Sequence, residues 1–159
     1  MTQGHDIAIA LRAAYLALHR RSESAFAAHG ITADQFVLLA ALERGGRALT
    51  QRDLSRRMSS DPSTVRAMLV LLEQRGLVER PAHPTDARAR TIALTPKGER
   101  TFRHLWTAGE PIRARVLGAL QPGDATALVE LLTRVAQALK PESAPPASRP
   151  VTPPRMKNE

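Results

Sequence analysis

Residues 50–95 read TQRDLSRRMSSDPSTVRAMLVLLEQRGLVERPAHPTDARARTIALT, and they decide the fold because they predict two short helices followed by a basic hairpin. Thr50 suits an N-cap, since its hydroxyl can accept a backbone N–H of the first turn, and Asp53 stands three residues later as the acidic partner of a capping box. The first helix is therefore predicted to begin near Gln51.

A second helix is predicted from Pro62 to about Arg75. Asp61 supplies the cap, and Pro62 suits the first helical position because its missing N–H would have no partner there. Gly76 allows the left-handed backbone that ends a helix sharply. Four apolar residues at helical spacing predict the buried face: Val65, Met68, Leu69 and Leu72. The outward side of the first turns then carries Ser63, Thr64, Arg66 and Ala67.

Two helices joined by a tight turn have the geometry that places a recognition helix in the major groove of DNA. Any small helical hairpin shows the same pattern, so the two helices alone leave both interpretations open. If they bind DNA, we expect the contacts to come from these residues: Thr50, Gln51, Arg52, Ser63, Thr64, Arg66, Ala67 and Arg75.

The residues after the second helix favour DNA binding. Residues 77–80 and 91–94 carry apolar side chains at strand spacing, and the ten residues between them hold two prolines, Asp86, Arg88 and Arg90. This pattern predicts a two-stranded hairpin, a wing, whose tip is cationic.

At this point the chain resembles the MarR-type winged helix-turn-helix regulators. The resemblance is carried by DPSTVRAMLVLLEQRGLVER followed by DARARTIALTPKG, and it extends with the flanking helices over roughly residues 5–140. Five residues fall on the wing signature of the family: Asp86, Arg88, Leu94, Thr95 and Gly98. The resemblance implies that Arg88 enters a minor groove, that Asp86 supports the wing loop, and that the helix from Pro62 enters the major groove.

Two departures from the family pattern bear on DNA contact. Ala87 stands where the family often has a second arginine, a loss for which Arg90 could compensate. Val70 and Leu71 occupy positions that are often polar in the family, so the outer side of the recognition helix differs from the usual pattern.

Helices are predicted on both sides of this unit. Residues 5–29 show apolar residues at spacings of three and four, and the next helix would begin at a capping box of Thr32 and Gln35 and end at Gly45 and Gly46.

Past the wing, a helix capped by Thr95 would run to about Leu120 with a bend at Gly109 and Pro111. A last helix follows residue 123 and has a long apolar stripe: Leu128, Leu131, Leu132, Val135 and Leu139. Terminal helices with such faces favour burial against a second copy, as in the resembled family, so we expect a homodimer.

The predicted fold class is mainly α with a small β-wing: a winged helix-turn-helix domain plus a helical dimerisation region. The predicted parts are an N-terminal dimerisation helix at 1–30, the DNA-binding domain at 31–95, and C-terminal dimerisation helices at 96–140. Residues 141–159 are rich in proline and predict a disordered tail. That tail is either dispensable or a weak accessory contact through Arg149, Arg155 and Lys157.

Charge points to a polyanionic partner. Residues 44–103 hold 13 basic and 6 acidic side chains, and so carry nearly all of the net charge of +8. Such a concentration attracts DNA and predicts a steep dependence of binding on salt. A basic surface kept for solubility would not need to gather on the same residues as the motif.

Composition excludes several other classes. The chain has no cysteine, which excludes a disulfide scaffold and a thiolate zinc site. It shows neither an apolar run long enough for a membrane helix nor a leader peptide, so we expect a cytoplasmic protein without membrane contact.

No enzyme motif is found: the sequence lacks a phosphate-binding glycine loop, a nucleophile elbow and paired metal-ligand histidines, so neither cofactor nor metal is expected. In the resembled family, small aromatic or lipophilic effectors often bind between the dimer helices and the wing domain. Four residues could line such a pocket or could be plain core or interface residues: Tyr15, His19, Phe36 and Trp106.

These observations predict a homodimeric, ligand-responsive transcriptional repressor that occludes a pseudo-palindromic operator in double-stranded DNA. The repressor would leave the DNA if the effector stabilised a spacing of the recognition helices that does not match successive major grooves. The alternative is a DNA-architectural protein that senses nothing. A helical enzyme whose site escapes sequence analysis is a third possibility.

Overall fold

The computed structural model describes residues 2–46, 49–83, 85–86 and 90–140. Within those ranges the elements follow the predicted order, and the mainly helical fold with a small wing is confirmed. The elements are α1 (Thr2–Phe26), a 3₁₀ turn (Ala27–His29), α2 (Ala33–Gly45), α3 (Gln51–Met58), α4 (Pro62–Gln74), β1 (Val78–Glu79), β2 (Ala93–Leu94), α5 (Pro96–Ala108), α6 (Glu110–Gly118) and α7 (Asp124–Ala138).

The predicted helix starts are confirmed at atomic detail. Thr32, Thr50, Asp61 and Thr95 each accept the backbone N–H three residues later through a side-chain oxygen. At Thr32 and Thr50 the reciprocal hydrogen bond of a capping box is also present. Because each cap satisfies a backbone N–H group that has no partner inside its helix, four of the helices have well-defined first turns.

The core is formed by α2, α3, α4, α5 and the wing strands. Its fully buried side chains include Leu38, Leu39, Leu42, Leu54, Val65, Leu69, Leu72, Leu77, Ile92 and Leu105. The buried face predicted for α4 is therefore confirmed, with Met68 partly buried at its edge.

Helix α1 has an apolar face that the single chain leaves largely uncovered. Its apolar residues remain largely exposed in the single chain, with Ile7 53% and Leu18 47% exposed, and burial begins only at Phe26.

The wing is shorter than the two four-residue strands predicted. Val78 pairs with Leu94 and Glu79 with Ala93 in an antiparallel ladder, and one isolated bridge joins Ala82 to Arg90. Pro81 has no N–H to offer, and the N–H of Ile92 is donated to the Leu49 carbonyl at 2.7 Å instead of to the hairpin partner. These two departures limit the ladder to its base.

The wing and α5 are joined by a compact set of hydrogen bonds. The Thr95 hydroxyl donates to the Gly76 carbonyl at 2.6 Å and accepts the Gly98 N–H at 3.0 Å, and Lys97 Nζ donates to the Arg75 carbonyl at 2.7 Å. A Cβ atom at Gly98 would overlap the Leu77 carbonyl oxygen. The glycine of the wing signature is therefore required by the close approach of α5 to the wing.

The chain divides into two compact units, residues up to Gly118 and residues from Ala119. The predicted boundary between 95 and 96 does not coincide with this division, because Phe102 and Leu105 of α5 belong to the winged-helix core. The expected bend is present as a break between α5 and α6, and α6 ends at Gly118 before the predicted Leu120.

The second unit contains α7, whose predicted apolar stripe is exposed, from Val135 at 37% to Leu139 at 77%. Within the described residues, no single helix has the length and apolar composition needed to cross a membrane; one consecutive pair, Gly4–His29 and Ala33–Gly45, meets that test jointly but is bent by 81°.

Candidate DNA-binding surface and ligand cleft

The turn between α3 and α4 is held by backbone hydrogen bonds. Ser59 adopts a left-handed conformation with φ of 50°, and its N–H donates to the Arg56 carbonyl at 3.3 Å. The side-chain amide of Gln51 donates to the Pro62 carbonyl at 3.3 Å, so the starts of the two helices lie side by side. This is the arrangement in which both helices present their first turns to the same ligand surface.

Asp53 fixes the start of α3. The Thr50 hydroxyl donates to its carboxylate at 2.6 Å, the Thr50 N–H donates at 2.9 Å, and Arg56 forms an ion pair with the other oxygen. These hydrogen bonds, those from Thr50 foremost, lower the pKa of Asp53 from 3.8 to about 2. The side chain is therefore a stable anion at neutral pH, and the Thr50 hydroxyl proton is engaged within the protein.

Asp61 plays the corresponding role at the start of α4. Its carboxylate accepts hydrogen bonds from the hydroxyls of Ser63 and Thr64 and from the Thr64 N–H at 2.9 Å. These bonds, led by that from Ser63, hold the pKa of Asp61 well below its usual range. The hydroxyl protons of Ser63 and Thr64 are thus directed back to the cap, and their oxygens are left to accept.

Most of the predicted DNA-contacting residues on α3 and α4 are exposed. Arg52, Ser63, Thr64, Arg66 and Ala67 are exposed, whereas Thr50 and Gln51 are half-buried at the joint between the helices. Sequence analysis did not include Arg56 and Arg57, which are also exposed on α3. Their position in a short, strongly basic helix was the available signal, and they enlarge the cationic surface.

Arg75 has a structural role that the other predicted DNA-contacting residues do not share. Its guanidinium donates to the backbone carbonyls of Gly30 and, at 2.9 Å, of His29, which close the connection between α1 and α2. The side chain thus ties the end of α4 to the rest of the fold, at the opposite end of the helix from Ser63 and Thr64. A contact between Arg75 and DNA therefore stays a prediction, beside this structural role.

The wing contributes less to the described surface. Arg90 is exposed, and its backbone pairs with Ala82 at the isolated bridge, while Asp86 is also exposed. Arg88 and Ala87 lie outside the described residues, so the minor-groove contact expected of Arg88 stays a prediction.

A mainly apolar cleft of about 200 Å³ lies between α1, α2 and the start of α6. Three of the four predicted pocket residues line it: Tyr15, His19 and Phe36. Tyr15 and His19 stack with their ring centroids 5.5 Å apart. Phe36 packs on Phe26 with a centroid distance of 4.5 Å.

One arginine borders this apolar cleft and was not predicted from sequence. Arg113 donates to Glu110 and, at 2.6 Å, to the Trp106 carbonyl, and its guanidinium carbon lies 3.7 Å from the Trp106 ring centroid. Trp106 lies on α5, and Glu110 lies one turn before Arg113 on α6. The guanidinium is therefore positioned before any ligand binds. No sequence pattern around Arg113 indicates that its side chain lies beside α1.

Trp106 differs from the other three predicted pocket residues, because it does not line the cleft with Tyr15 and His19. It lies on the far side of Arg113 and borders a separate open groove with Ala40, Arg44, Phe102, Arg103 and Thr107. Its indole ring is 48% exposed.

Glu23 is a further residue that sequence analysis did not single out. Its carboxylate accepts the Ala33 N–H at 2.6 Å and lies 3.8 Å from His19 Nε2. It therefore links α1 to the start of α2 beside the cleft. Among the residues that the structure describes, no three His, Asp or Glu side chains gather in a way that could hold a metal ion.

A family model described as the MarR family matches residues 29–89, which include the helix-turn-helix and most of the wing. The HTH-type transcriptional repressor NicR of Pseudomonas putida is 29% identical over 105 residues. That alignment covers 66% of this chain and 66% of the repressor. The chain therefore spans just under two thirds of the length of NicR.

Solved structures extend the similarity over most of the chain. CouR from Rhodococcus jostii RHA1, bound to p-coumaroyl-CoA, has a TM-score of 0.78 at 23% identity, covering 86% of this chain and 96% of that one. CouR bound to a 23-mer DNA duplex is 26% identical with a TM-score of 0.69, covering 80% and 89%. PcaV from Streptomyces coelicolor, in complex with its natural ligand, is 27% identical with a TM-score of 0.68, covering 87% and 95%.

A capped helix-turn-helix followed by a short β-hairpin, with arginines on its exposed helix starts, defines a winged helix-turn-helix protein. The family match covers this same unit, and similar solved structures span nearly the whole described chain. The chain is similar to the MarR family of transcriptional regulators over this unit, and the resemblance indicated by its sequence is confirmed. That family is one of regulators and not of enzymes.

Proposed function

We propose that this protein is a homodimeric repressor that binds a pseudo-palindromic operator and releases it when a small aromatic acid enters the cleft. The observation that carries the proposal is the exposed start of α4, where Arg66 adds to the exposed arginines of α3 on a unit with net positive charge. Such a surface suits phosphate and guanine contacts in a major groove.

Exposed apolar helices support the homodimer. Helix α7 leaves Leu131 54% and Leu132 40% exposed, and α1 leaves Ile7 and Ile9 more than half exposed. Contiguous apolar surface of this kind is typical of an interface between protein chains. Two copies related by a two-fold axis would present two recognition helices to half-sites about one helical turn apart.

The chemistry of the cleft supports an aromatic acid as effector. Tyr15, His19 and Phe36 offer aromatic surface, and Arg113 offers a fixed guanidinium at the edge of the same cleft. A carboxylate could accept two hydrogen bonds from that guanidinium while the ring of the ligand packs on the aromatic side chains. CouR and PcaV each bind a ligand in their solved structures, which fits a family that responds to small molecules.

The first test compares binding of the purified chain to the duplex beside its own gene with binding to a scrambled duplex of equal length, across a salt series. We expect preference for the native duplex and a slope of log affinity against log salt of about −0.9 per phosphate contact. Arg66→Ala should cost about 1 to 3 kcal/mol of that binding. Arg115→Ala, an exposed arginine of α6, is the matched control.

Equal binding to every duplex tested, including duplexes selected from a random pool, would contradict sequence-specific regulation. It would favour the alternative of a DNA-architectural protein, for which the strongly basic surface is sufficient.

The effector test compares benzoate- and cinnamate-type acids with their uncharged amides, measuring release of the chain from its duplex. We expect the acids to act at concentrations about tenfold lower than the amides, the factor that one charge-assisted hydrogen bond supplies. Arg113→Gln should remove this difference while leaving DNA affinity without ligand unchanged. Amides that act as well as acids would contradict the role of Arg113.

A further inference from the structure

The outward face of α4 changes from polar to apolar within two turns. Val70 is 40% and Leu71 51% exposed, whereas Val65, Leu69 and Leu72 on the opposite side are fully buried. With successive residues about 100° apart, Ser63, Ala67 and Val70 fall within about 60° of one another on the side away from the core. Two turns of the recognition helix therefore present methyl groups to the outside.

The polar residues at the start of this face are already engaged. The hydroxyls of Ser63 and Thr64 both donate to Asp61, so neither proton is free for a base edge or a phosphate unless the cap is broken. Within α4, which the structure describes throughout, Arg66 is the cationic residue. Beside it, the exposed apolar side chains of the second and third turns are those of Ala67, Val70 and Leu71.

The surroundings of this apolar strip favour DNA as its occupant over a second protein surface. Arg52, Arg56 and Arg57 are exposed on α3, which packs directly against α4, and Arg66 is exposed on α4 itself. The acidic residue near the far end of the helix, Glu73, accepts a hydrogen bond from Arg80 at 3.1 Å, which neutralises it. A polyanion would be attracted to these arginines and would bring the bases of one groove against the strip.

Thymine is the base whose major-groove edge suits an apolar side chain. It presents a 5-methyl group, whereas the other unmodified bases present hydrogen-bonding atoms that an alanine or valine cannot satisfy. Ala67 and Val70 lie about 7 and 12 Å along the axis from the start of α4, within the part of a recognition helix that enters the groove.

We propose that Val70, together with Ala67, contacts thymine 5-methyl groups in each operator half-site and so selects thymine there. This inference rests on the proposed function, because it requires α4 to enter a major groove. The thymine 5-methyl group is then the feature of the DNA that the apolar face distinguishes. A valine on the outer side of this helix is suited to that contact, where a polar residue is not.

The test begins with selection of preferred duplexes from a random pool by the full-length chain. Each thymine of the preferred half-site is then replaced by uracil, which removes only the 5-methyl group. At one or two positions we expect a loss of about fourfold per methyl, the factor for burial of one methyl-sized group. Replacement in both half-sites should give about fifteenfold.

Val70→Ala identifies the contacting residue. The side chain is exposed and alanine favours helix, so the variant should fold, which circular dichroism can verify. Both protomers carry the substitution, so the variant should bind the thymine duplex less tightly by about the factor given for uracil in both half-sites. It should no longer distinguish thymine from uracil at the position that Val70 contacts. Val116→Ala, at a valine 44% exposed on α6, is the matched control and should keep the full discrimination.

The outcomes separate the inference from the function on which it rests. If the pool yields preferred duplexes but no uracil replacement lowers affinity, thymine contact is refuted and sequence-specific binding stands. If Val70→Ala retains the full sensitivity to uracil, the assignment to Val70 is overturned. If the pool yields no preferred sequence, the proposed function itself fails.

Discussion

Asp53 and Asp61 are the residues whose chemistry the local structure defines most clearly. Each accepts hydrogen bonds from a neighbouring hydroxyl and a backbone N–H group, and each has a lowered pKa for that reason. The two carboxylates therefore keep α3 and α4 in place as long as they are ionised. Protonation would remove the same bonds that define the starts of both helices.

Stability should fall in acid through Asp53. Its folded-state pKa of about 2 lies below the ordinary value of 3.8, so its contribution is present above 3.8 and is lost as the pH falls towards 2. Asp53→Asn should lower the free energy of unfolding at pH 6 and should flatten its decline between pH 4 and 2. Urea unfolding at several pH values measures both effects, and an unchanged decline would contradict the assignment. Asp6→Asn, on exposed α1, is the control.

Gly98 makes a second prediction at this scale. Because a Cβ atom would overlap the Leu77 carbonyl oxygen, Gly98→Ala should destabilise the fold by about 1 to 3 kcal/mol, the usual cost of overpacking. Gly118→Ala, where no atom lies within 4 Å of the added Cβ, should instead be neutral or stabilising by up to about 1 kcal/mol. Urea unfolding of both variants distinguishes a steric requirement for glycine at position 98 from a destabilising effect of any glycine-to-alanine substitution.

At the scale of elements, α4 is held at both ends by groups distant in sequence. Gln51 contacts its first residue, and beyond its last turn Arg75 binds the carbonyls of His29 and Gly30 while Lys97 binds the Arg75 carbonyl. The connection between α1 and α2 that Arg75 contacts follows directly after Phe26, a residue lining the cleft. The recognition helix is thus linked to the elements that form the cleft.

Arg75→Ala should therefore behave as a structural variant. We expect a loss of about 1 kcal/mol in stability from the hydrogen bonds removed. The effect of an aromatic acid on DNA affinity should also be smaller, because the link between cleft and helix is broken.

The slope of log affinity against log salt should stay unchanged for Arg75→Ala, since the side chain contacts carbonyls and not phosphates. Arg52→Ala, at an exposed arginine of α3, is the comparison, and its slope should fall by about 1 if it contacts a phosphate. An equal fall in the slope for Arg75→Ala would show that Arg75 contacts a phosphate.

For the whole molecule, association should depend on the apolar stripe of α7. Leu132 lies in the middle of the stripe, so Leu132→Glu should convert a dimer to a monomer and should remove the gain in affinity that comes from occupying two half-sites. Sedimentation velocity and binding to a single and a double half-site measure the two effects. Gln137→Glu adds the same charge about 140° around the same helix from Leu132 and should change neither.

Much of this architecture could be predicted because it depends on short spacings. A cap and its partner are three residues apart, and a buried face recurs every three or four residues, so Thr32, Thr50, Asp61 and Thr95 and the inward side of α4 were all found in advance. The exposed start of α4, with Arg66 and Ala67, followed from the same periodicity. The wing signature then indicated the family.

The sequence by itself thus determined the order of the elements, the resemblance to MarR-type regulators and the side of α4 that is exposed, because local hydrogen bonding and helical periodicity suffice for these. Tertiary structure alone decided that Arg75 binds carbonyls 45 and 46 residues away, and that Arg113 stands between Trp106 and the cleft. An arginine has the same local pattern whether it faces a phosphate, a carbonyl or a ring. Its partner depends on which elements pack beside it.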